Sequence, residues 1–110
     1  PQGPEVRRAL WTSAIEASQS AEDRHNAIYH CAVLAASEGN AAESERYLRR
    51  AIAQAPSWYK PYWTLAQVLV VQNRLEDALQ AANRAAYLAD GRHPEVTAAA
   101  EGIRKLAAGE

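Results

Sequence analysis

Three histidines and one cysteine are the residues of this chain best suited to bind a metal ion or to act as nucleophiles. They are His25, His30, Cys31 and His93. Metal ligands on one helix usually lie three or four residues apart, so that they project from the same face. His30 and Cys31 are adjacent, and adjacent residues on a helix point to different faces. The spacing therefore predicts no metal site, and we expect Cys31 to be a core residue rather than a reactive thiol.

Carboxylates that are close in sequence could act as a general acid and base. Two such pairs occur, Glu43 with Glu45 and Glu76 with Asp77. Both fall at the expected start of a helix, where negative charge is stabilised by the helix dipole. The sequence also contains no GxSxG elbow, no Gly-rich phosphate loop and no HExxH motif. We therefore predict no catalytic residue, no bound cofactor and no enzymatic activity.

A basic cluster, Arg46 with Arg49 and Arg50, could contact the phosphates of a nucleic acid. The cluster is short, and acidic residues precede it. The whole chain carries 12 basic and 13 acidic residues, which are interspersed and give a formal net charge of -1. Positive charge late in a helix is favourable without any ligand. We therefore expect no nucleic-acid partner.

The composition predicts an all-α protein. The chain is rich in Ala, Leu, Glu, Gln and Arg, lacks Phe, and has only 5 Gly and 5 Pro among its 110 residues. Alanine has the highest helix propensity, and its small side chain lets helices pack closely. An apolar content of 48% excludes a disordered chain. The single cysteine excludes an intrachain disulfide framework.

The apolar segments are too short for membrane insertion. An apolar run such as Val68–Val71 is far below the ~20 residues that a transmembrane helix needs. The first residues show no signal-peptide pattern. The sequence begins without Met and contains none. We therefore expect a soluble domain, cytoplasmic or periplasmic, excised from a larger protein.

Local start and stop signals divide the chain into six predicted helices. Ser20 and Asp23 form a capping-box pattern at the start of the second helix. Gly39 and Asn73 are able to take the left-handed conformation that ends a helix, and Asp90-Gly91 gives a third such stop. The predicted helices cover about 4–19, 21–38, Asn40 to near Ala55, Ser57 to Asn73, 75–89 and 94–107.

An aromatic segment, Pro56–Trp63, joins the third and fourth helices. Ser57 is predicted to cap the fourth helix, and Pro61 falls within its first turn, where a backbone N–H is not needed. Trp58 has no role assigned by the pattern. Its burial would distinguish a packing residue from a binding residue.

Each predicted helix carries an apolar stripe at helical spacing. In the first helix the stripe consists of Val6, Leu10, Ala14 and Ala17, widened by Trp11 and Ile15. The later stripes are Ile28, Cys31, Ala32 and Ala35; Tyr47, Leu48, Ala51 and Ile52; Tyr62, Leu65, Ala66 and Leu69; Ala78, Ala82, Ala85 and Leu88; and Val96, Ala99, Ala100, Ile103 and Leu106.

The sequence overlays itself when it is shifted by 34 residues. Ile28 falls on Tyr62, Tyr62 falls on Val96, and the turn residues Gly39 and Asn73 coincide. A helix–turn–helix unit of this length resembles the tetratricopeptide repeat (TPR) family. The positions of the family pattern hold Ile28, Cys31-Ala32, Ala35, Ser44, Leu48 and Pro56 in the first copy, and Tyr62, Leu65-Ala66, Leu69, Ala78, Ala82 and Asp90 in the second.

The resemblance implies an α-solenoid of antiparallel helix hairpins with a right-handed superhelix, in a single domain over 1–110. Residues 4–19 would form a leading half repeat, 21–56 and 57–90 two full repeats, and 94–107 a capping helix. A second resemblance, carried by Trp58–Trp63 with Leu65-Ala66 and by Asn73–Ala78, is to repeat tails of bacterial membrane and envelope proteins such as the O-antigen ligase-like proteins.

The TPR resemblance implies a protein-interaction scaffold whose first helices line a concave face. An extended or helical peptide of unknown identity would lie across that face. Aromatic side chains on such a surface supply large contact area with a polar handle. The expected partner-binding residues are Asn26, Tyr29, Val33, Lys60, Trp63, Gln67 and Val71, with His30, Ser37, Thr64, Thr97 and Glu101 on the same sides of their helices.

Two alternatives remain open at this point. Tyr29 and Trp63 could pack between adjacent repeats instead of contacting a partner. The chain could also be a self-associating spacer of a larger bacterial protein, for example a homodimer that uses the exposed ends of the helix stack. An exposed Trp11 or Trp58 would favour a contact with another chain or with parent sequence.

Overall fold

The computed structural model describes residues 3–17 and 20–109, and within these ranges the chain is all-helical, with six helices and no strand. The all-α prediction is confirmed. The last residues of the predicted first helix, 18–19, lie outside the described residues. The helices are α1 (Pro4–Ala17), α2 (Ala21–Ser37), α3 (Ala41–Gln54), α4 (Tyr59–Val71), α5 (Leu75–Ala89) and α6 (Pro94–Ala107).

The chain divides into two compact units between Pro56 and Ser57. In the first unit α1 packs on α2 and α2 packs on α3. In the second unit α4 packs on α5 and α5 packs on α6. The division falls at the junction that the 34-residue shift predicts between the two full repeats. No helix in the described part of the chain has the length and apolar character to cross a membrane.

The hairpins α2–α3 and α4–α5 turn in the same way. Gly39 and Asn73 both have left-handed backbones, with φ of 77° and 60°. The Gly39 N–H donates to the carbonyl of Ala36 at 3.0 Å, and the Asn73 N–H donates to that of Val70 at 2.9 Å. In each turn the next N–H reaches one residue further back, to the carbonyl of Ala35 or Leu69, at 2.9 Å. These paired bonds satisfy the last carbonyls of α2 and α4 and turn the chain within a few residues.

Most predicted helix ends are confirmed, and one cap is corrected. The Ser20 hydroxyl accepts a bond from the Asp23 N–H at 3.1 Å, and the Asn40 side chain accepts one from the Glu43 N–H at 3.3 Å. The residue that caps α4, however, is Trp58, which makes no side-chain cap bond. The prediction of Ser57 is therefore wrong. A start at Tyr59 still leaves Pro61 in the first turn, so the proline tolerates the later start.

The cores of the two hairpins consist mainly of small residues at equivalent positions. Ala32 and Ala66 are 0% exposed, as are Ser44 and Ala78, which lie 34 residues apart. Residues this small allow the two helices of a hairpin to approach closely. Further buried residues are Ile28, Cys31, Ala35, Leu48 and Ala51 in the first unit, and Leu65, Leu69, Ala82, Ala85, Val96, Ala100 and Ile103 in the second.

The predicted stripe of α1 is corrected by the structure. Val6 and Leu10 are 46% and 56% exposed, whereas Ile15 is buried at 9%. Trp11 and Ala14 are half-buried and pack against the cluster that contains Ile15. Arg8, on the same side as Trp11 and Ile15, forms ion pairs with Glu38 and Glu43, at the turn between α2 and α3. The helix therefore contacts its neighbour through the 8–11–15 side, and Leu10 is left in solvent.

Leu106 is a second residue whose predicted burial is wrong. It is 51% exposed near the end of α6. Val96, Ala100 and Ile103 on the same helix are buried as predicted, at 1%, 7% and 7%. These three form the side that packs on α5 within the second unit. Leu106 extends the stripe beyond the residues of α6 that are buried.

Candidate functional site

The candidate binding surface in the first unit is the outward side of α2. Residues three or four apart share a helix face, so the buried residues Ile28, Ala32 and Ala35 form one side of α2. The candidate surface is the opposite side of the same helix. Val33 is 40% exposed at its centre. Tyr29 and Asn26 are half-buried, and His30 and Ser37 are exposed. The Ser37 hydroxyl donates to the carbonyl of Leu34 at 2.7 Å. Between Asn26 and Ser37 this side holds no charged residue, whereas the acidic Glu22 and Asp23 precede it in the first turn of α2.

An aromatic stack supports this side of α2. The rings of Trp11 and His30 are parallel within 16°, with centroids 4.5 Å apart. Tyr29 meets His30 edge-on, at 6.0 Å and 67°. Trp11 thus belongs to the α1–α2 contact and is half-buried. This contact joins residues 19 positions apart in sequence, and no periodicity or motif could have indicated it.

A cleft of about 690 Å³ opens between α1 and α2 beside this stack. It was not predicted. Trp11 and His30 form its aromatic edge, and Asp23 and Asn26 supply polar groups. Its other lining residues are small alanines, at positions 14, 17 and 27. The predicted site residue Asn26 therefore lies in a concave feature formed within the first unit alone.

The candidate surface in the second unit is the outward side of α4. Lys60 and Gln67 are exposed, Thr64 is half-buried, and Val71 is 80% exposed. Val71 is the most exposed of the large hydrophobic residues in the described part of the chain. Lys60 is the one charged residue among the predicted binding residues of this helix. This side of α4 therefore mixes polar and apolar residues and carries a single positive charge, near the start of the helix.

Trp63 differs from the other predicted residues of α4 because it packs within its own unit. It contacts the buried cluster of Ala85, Ala89 and Val96. Its indole Nε1 is buried and has no hydrogen-bond partner among the described residues. The side chain remains half-buried rather than fully enclosed. Trp63 thus packs against residues of α5 and α6, in line with the packing alternative.

An aromatic group accompanies Trp63 at the start of α4. The ring centroid of Tyr59 lies 6.4 Å from that of Trp63. The Tyr59 ring also stacks on the His93 ring, with centroids 4.5 Å apart and ring planes 27° apart. His93 in turn lies 3.5 Å from a carboxylate oxygen of Glu95. Trp58, the residue before Tyr59, is half-buried. The aromatic segment is therefore largely part of the packing of the second unit.

The remaining candidates for chemistry are occupied by structural contacts. Cys31 is 2% exposed, and burial raises the pKa of its thiol. Arg49 pairs with Glu45 at 2.9 Å, and the Arg50 guanidinium lies 5.9 Å from the centre of the Tyr47 ring. No group of three or more His, Cys, Asp or Glu side chains among residues 3–17 and 20–109 is placed to hold a metal ion.

The two predicted residues of α6 are exposed, and one of them is paired. Thr97 and Glu101 both face solvent. Glu101 accepts hydrogen bonds from Arg104, the shorter at 2.5 Å. This bond and the positive charge of Arg104 lower the pKa of the Glu101 carboxyl below its usual value.

Neither a protein-family model nor a curated protein sequence matches this chain.

Proposed function

We propose that this chain is a tetratricopeptide-like helical-repeat scaffold that binds a peptide segment of a partner protein and catalyses no reaction. The peptide lies along the outward sides of α2 and α4. In this proposal the hairpins stack as a solenoid, and the residues that contact the peptide are those predicted from the repeat.

The repeat itself supports the first part of this proposal. Two hairpins with the same turn bonds and with small buried residues at equivalent crossing positions recur 34 positions apart. A hairpin of this size buries too little apolar surface to be stable alone, which is why such units stack. Equivalent turns at Gly39 and Asn73 leave the first helix of each hairpin with an equivalent outward side.

The charge difference between first and second helices is the observation that carries the binding proposal. The outward sides of α3 and α5 hold charged residues, such as Arg46, Arg49 and Arg84. The outward sides of α2 and α4 hold Tyr29, Val33 and Val71 with mostly uncharged polar neighbours, and charge only in their first turns, at Glu22 and Lys60. Charged groups are depleted and aromatic groups enriched at the centres of protein interfaces. An uncharged, partly apolar helix side is therefore the one suited to a peptide partner.

The peptide that fits this surface carries apolar anchors and few charges. Val33 and Val71 offer exposed apolar area, and Asn26 and Gln67 offer amide groups that can bond a peptide backbone. Lys60 adds one positive charge, which favours an acidic residue near the start of α4. Both an extended and a helical peptide can present such anchors at regular spacing.

The test is selection of peptides from a random displayed library on the wild-type chain, followed by affinity measurements on the selected peptides. Val33→Glu and Val71→Glu place a charge on α2 and α4 at exposed positions, so the fold is expected to persist. Each should weaken binding at least ~10-fold, which corresponds to about 1.4 kcal/mol.

The matched control is Tyr87→Glu. Tyr87 is 73% exposed on α5 and gives the same loss of an exposed apolar group on a second helix. Its affinity for the selected peptides should equal that of the wild type. Failure to select any peptide, or equal weakening by Tyr87→Glu, would contradict binding at the first-helix sides.

A further inference from the structure

The cleft between α1 and α2 has an acidic end and an aromatic end. Its volume of about 690 Å³ admits the longest amino-acid side chains, so its chemistry selects among them. Asp23 and His30 both line it and lie seven residues apart on α2, which corresponds to about 10 Å along the helix axis. Trp11 stacks on His30 and completes the aromatic end.

The acidic end offers both negative charge and a neutral hydrogen-bond acceptor. Asp23 is exposed in the first turn of α2, with Glu22 exposed beside it. The helix dipole alone favours carboxylates at this place, so they indicate no ligand by themselves. Asn26, however, is half-buried one turn further along and lines the same cleft. Its amide oxygen and the Asp23 carboxylate can together accept hydrogen bonds from one cationic group.

The surface between the two ends is apolar. It consists of alanine methyl groups, at positions 14, 17 and 27. A side chain that covers this floor and also reaches Asp23 must be apolar along its length and cationic at its tip, as lysine and arginine are. A wholly apolar side chain would cover Asp23 and Asn26 without replacing their hydrogen bonds to water, which costs free energy. An acidic side chain would be repelled by Asp23.

The mixed acceptors of this cleft favour arginine over lysine. A guanidinium group is planar and carries five N–H donors in a fixed fork, so it can bond a carboxylate and a neighbouring amide oxygen at once. It is also more weakly hydrated than an ammonium group and stacks on aromatic rings, of which the cleft has two, Trp11 and His30.

We propose that an arginine side chain of the partner peptide occupies this cleft, with its guanidinium group on Asp23 and Asn26 and its methylene stem on the alanine floor. The inference rests on the proposed function, because Asn26 and His30 belong to the outward side of α2 along which the peptide lies. It names the anchor that the peptide carries at the start of that helix. All of the contacts are made within the first unit.

The first test titrates the wild-type chain with a capped arginine, N-acetyl-arginine-N-methylamide, and follows the side-chain signals of Trp11 and Asn26 by nuclear magnetic resonance. The matched probe is capped citrulline, which has the same length and a neutral urea group in place of the guanidinium. Capped arginine should give saturable shifts, and capped citrulline should bind at least ~10-fold more weakly. Equal binding of the two probes, or no saturable shift with arginine, overturns the proposal.

Asp23→Asn tests the role of the carboxylate. The Ser20 hydroxyl accepts its bond from the backbone N–H of residue 23, so the substitution retains this cap, and circular dichroism checks the fold. The variant should bind capped arginine and capped citrulline equally. Glu76→Gln is the matched control, because Glu76 is an exposed carboxylate in the first turn of α5. It removes the same charge and should keep the preference for arginine. Equal loss of the preference in both variants would overturn the proposal, since it would show attraction by net charge alone.

The second test uses peptides selected from the random library on the wild-type chain. A basic residue should recur at one position, and its replacement by citrulline should weaken binding to the wild type at least ~10-fold but leave binding to Asp23→Asn unchanged. Peptides that bind without a basic residue would overturn the arginine anchor and leave the proposed function standing. If no peptide is selected, both fall, and binding of capped arginine would then show a site for a free alkylguanidinium compound.

Discussion

The hydroxyl of Ser44 donates a 2.8 Å hydrogen bond to the carbonyl oxygen of Ala32, and this bond joins α3 to α2 at a point that is closed to solvent. The carbonyl belongs to the helix backbone, so the two helices approach closely enough for a serine side chain to bridge them. The second hairpin holds Ala78 and Ala66 at the equivalent positions, both 0% exposed. The α2–α3 hairpin thus has a hydrogen bond where its two helices meet, whereas the α4–α5 hairpin has only the methyl groups of Ala66 and Ala78 at the equivalent positions.

Replacement of Ser44 by alanine should lower the free energy of unfolding by about 1 kcal/mol, within the usual ~0.5–1.5 kcal/mol range for a buried hydrogen bond. The measurement is urea denaturation followed by circular dichroism. Ser13→Ala in α1 is the matched control, because Ser13 is exposed and the change reports helix propensity alone. If Ser44→Ala and Ser13→Ala raised the free energy of unfolding by the same amount, the Ser44 hydrogen bond would make no net contribution to stability.

Ala66→Leu should destabilise the second hairpin by roughly 1–3 kcal/mol, because Ala66 is fully buried and three added carbon atoms have no space there. Thermal unfolding gives the change in melting temperature. Ala53→Leu, on the exposed side of α3, adds the same atoms in solvent and should leave the melting temperature nearly unchanged. An unaltered melting temperature for Ala66→Leu would contradict the assigned packing of α4.

Two glycines should respond to alanine with opposite signs. Gly39 has a φ of 77° and Gly102 lies within α6, and neither has an atom within 4 Å of the added Cβ. An alanine side chain would therefore clash with no neighbour at either position, and the two positions differ only in backbone conformation. Gly39→Ala should cost about 1 kcal/mol for its left-handed backbone, and Gly102→Ala should stabilise by about 0.5–1 kcal/mol through helix propensity.

The same strain should appear at the equivalent turn of the second hairpin. Asn73 has a φ of 60°, and asparagine tolerates this conformation better than alanine does. Asn73→Gly should therefore be neutral or stabilising, whereas Asn73→Ala should destabilise, as measured by urea denaturation. Equal effects of the two substitutions would argue against a left-handed residue at this turn.

Substitution of Arg104 by alanine should raise the pKa of Glu101. The hydrogen bond from Arg104 is the largest cause of its lowered pKa, and the charge of Lys105 is the smallest. Lys105→Ala should therefore move the pKa less. The direction follows from linkage: a carboxyl with a lowered pKa stabilises the fold above its unfolded pKa and loses that contribution as the pH falls through the folded value. Titration of the Glu101 side chain by nuclear magnetic resonance measures both shifts.

Much of the helical framework could be predicted because it depends on neighbours in sequence. Capping by Ser20 and Asn40, the left-handed turns at Gly39 and Asn73, and the proline start of α6 are all local interactions. Their geometry is nearly independent of the rest of the fold. The exception is the start of α4, where Trp58 takes the place of the predicted serine cap.

The candidate binding sides could be predicted only as sides of helices. Helical spacing places Val33 and Val71 on the outward sides of their helices and Ala32 and Leu69 on the buried sides. In the structure Val33 and Val71 are exposed, and Ala32 and Leu69 are buried. Spacing could not show that Trp63 packs against Ala85, Ala89 and Val96, since that contact depends on how α4 meets α5 and α6. Nor could it show the cleft beside Trp11, which needs two helices to form.

The sequence by itself determined where most of the helices begin and end, the 34-residue spacing, and the identity of the small residues at the hairpin crossings. Only the tertiary structure decided which part of each terminal stripe is covered. In α1, the stack of Trp11 on His30 and the ion pairs of Arg8 turn Ile15 inward and leave Leu10 exposed. The physical reason is that periodicity reports how apolar residues are arranged around a helix, whereas burial depends on which neighbouring helix is present to cover them.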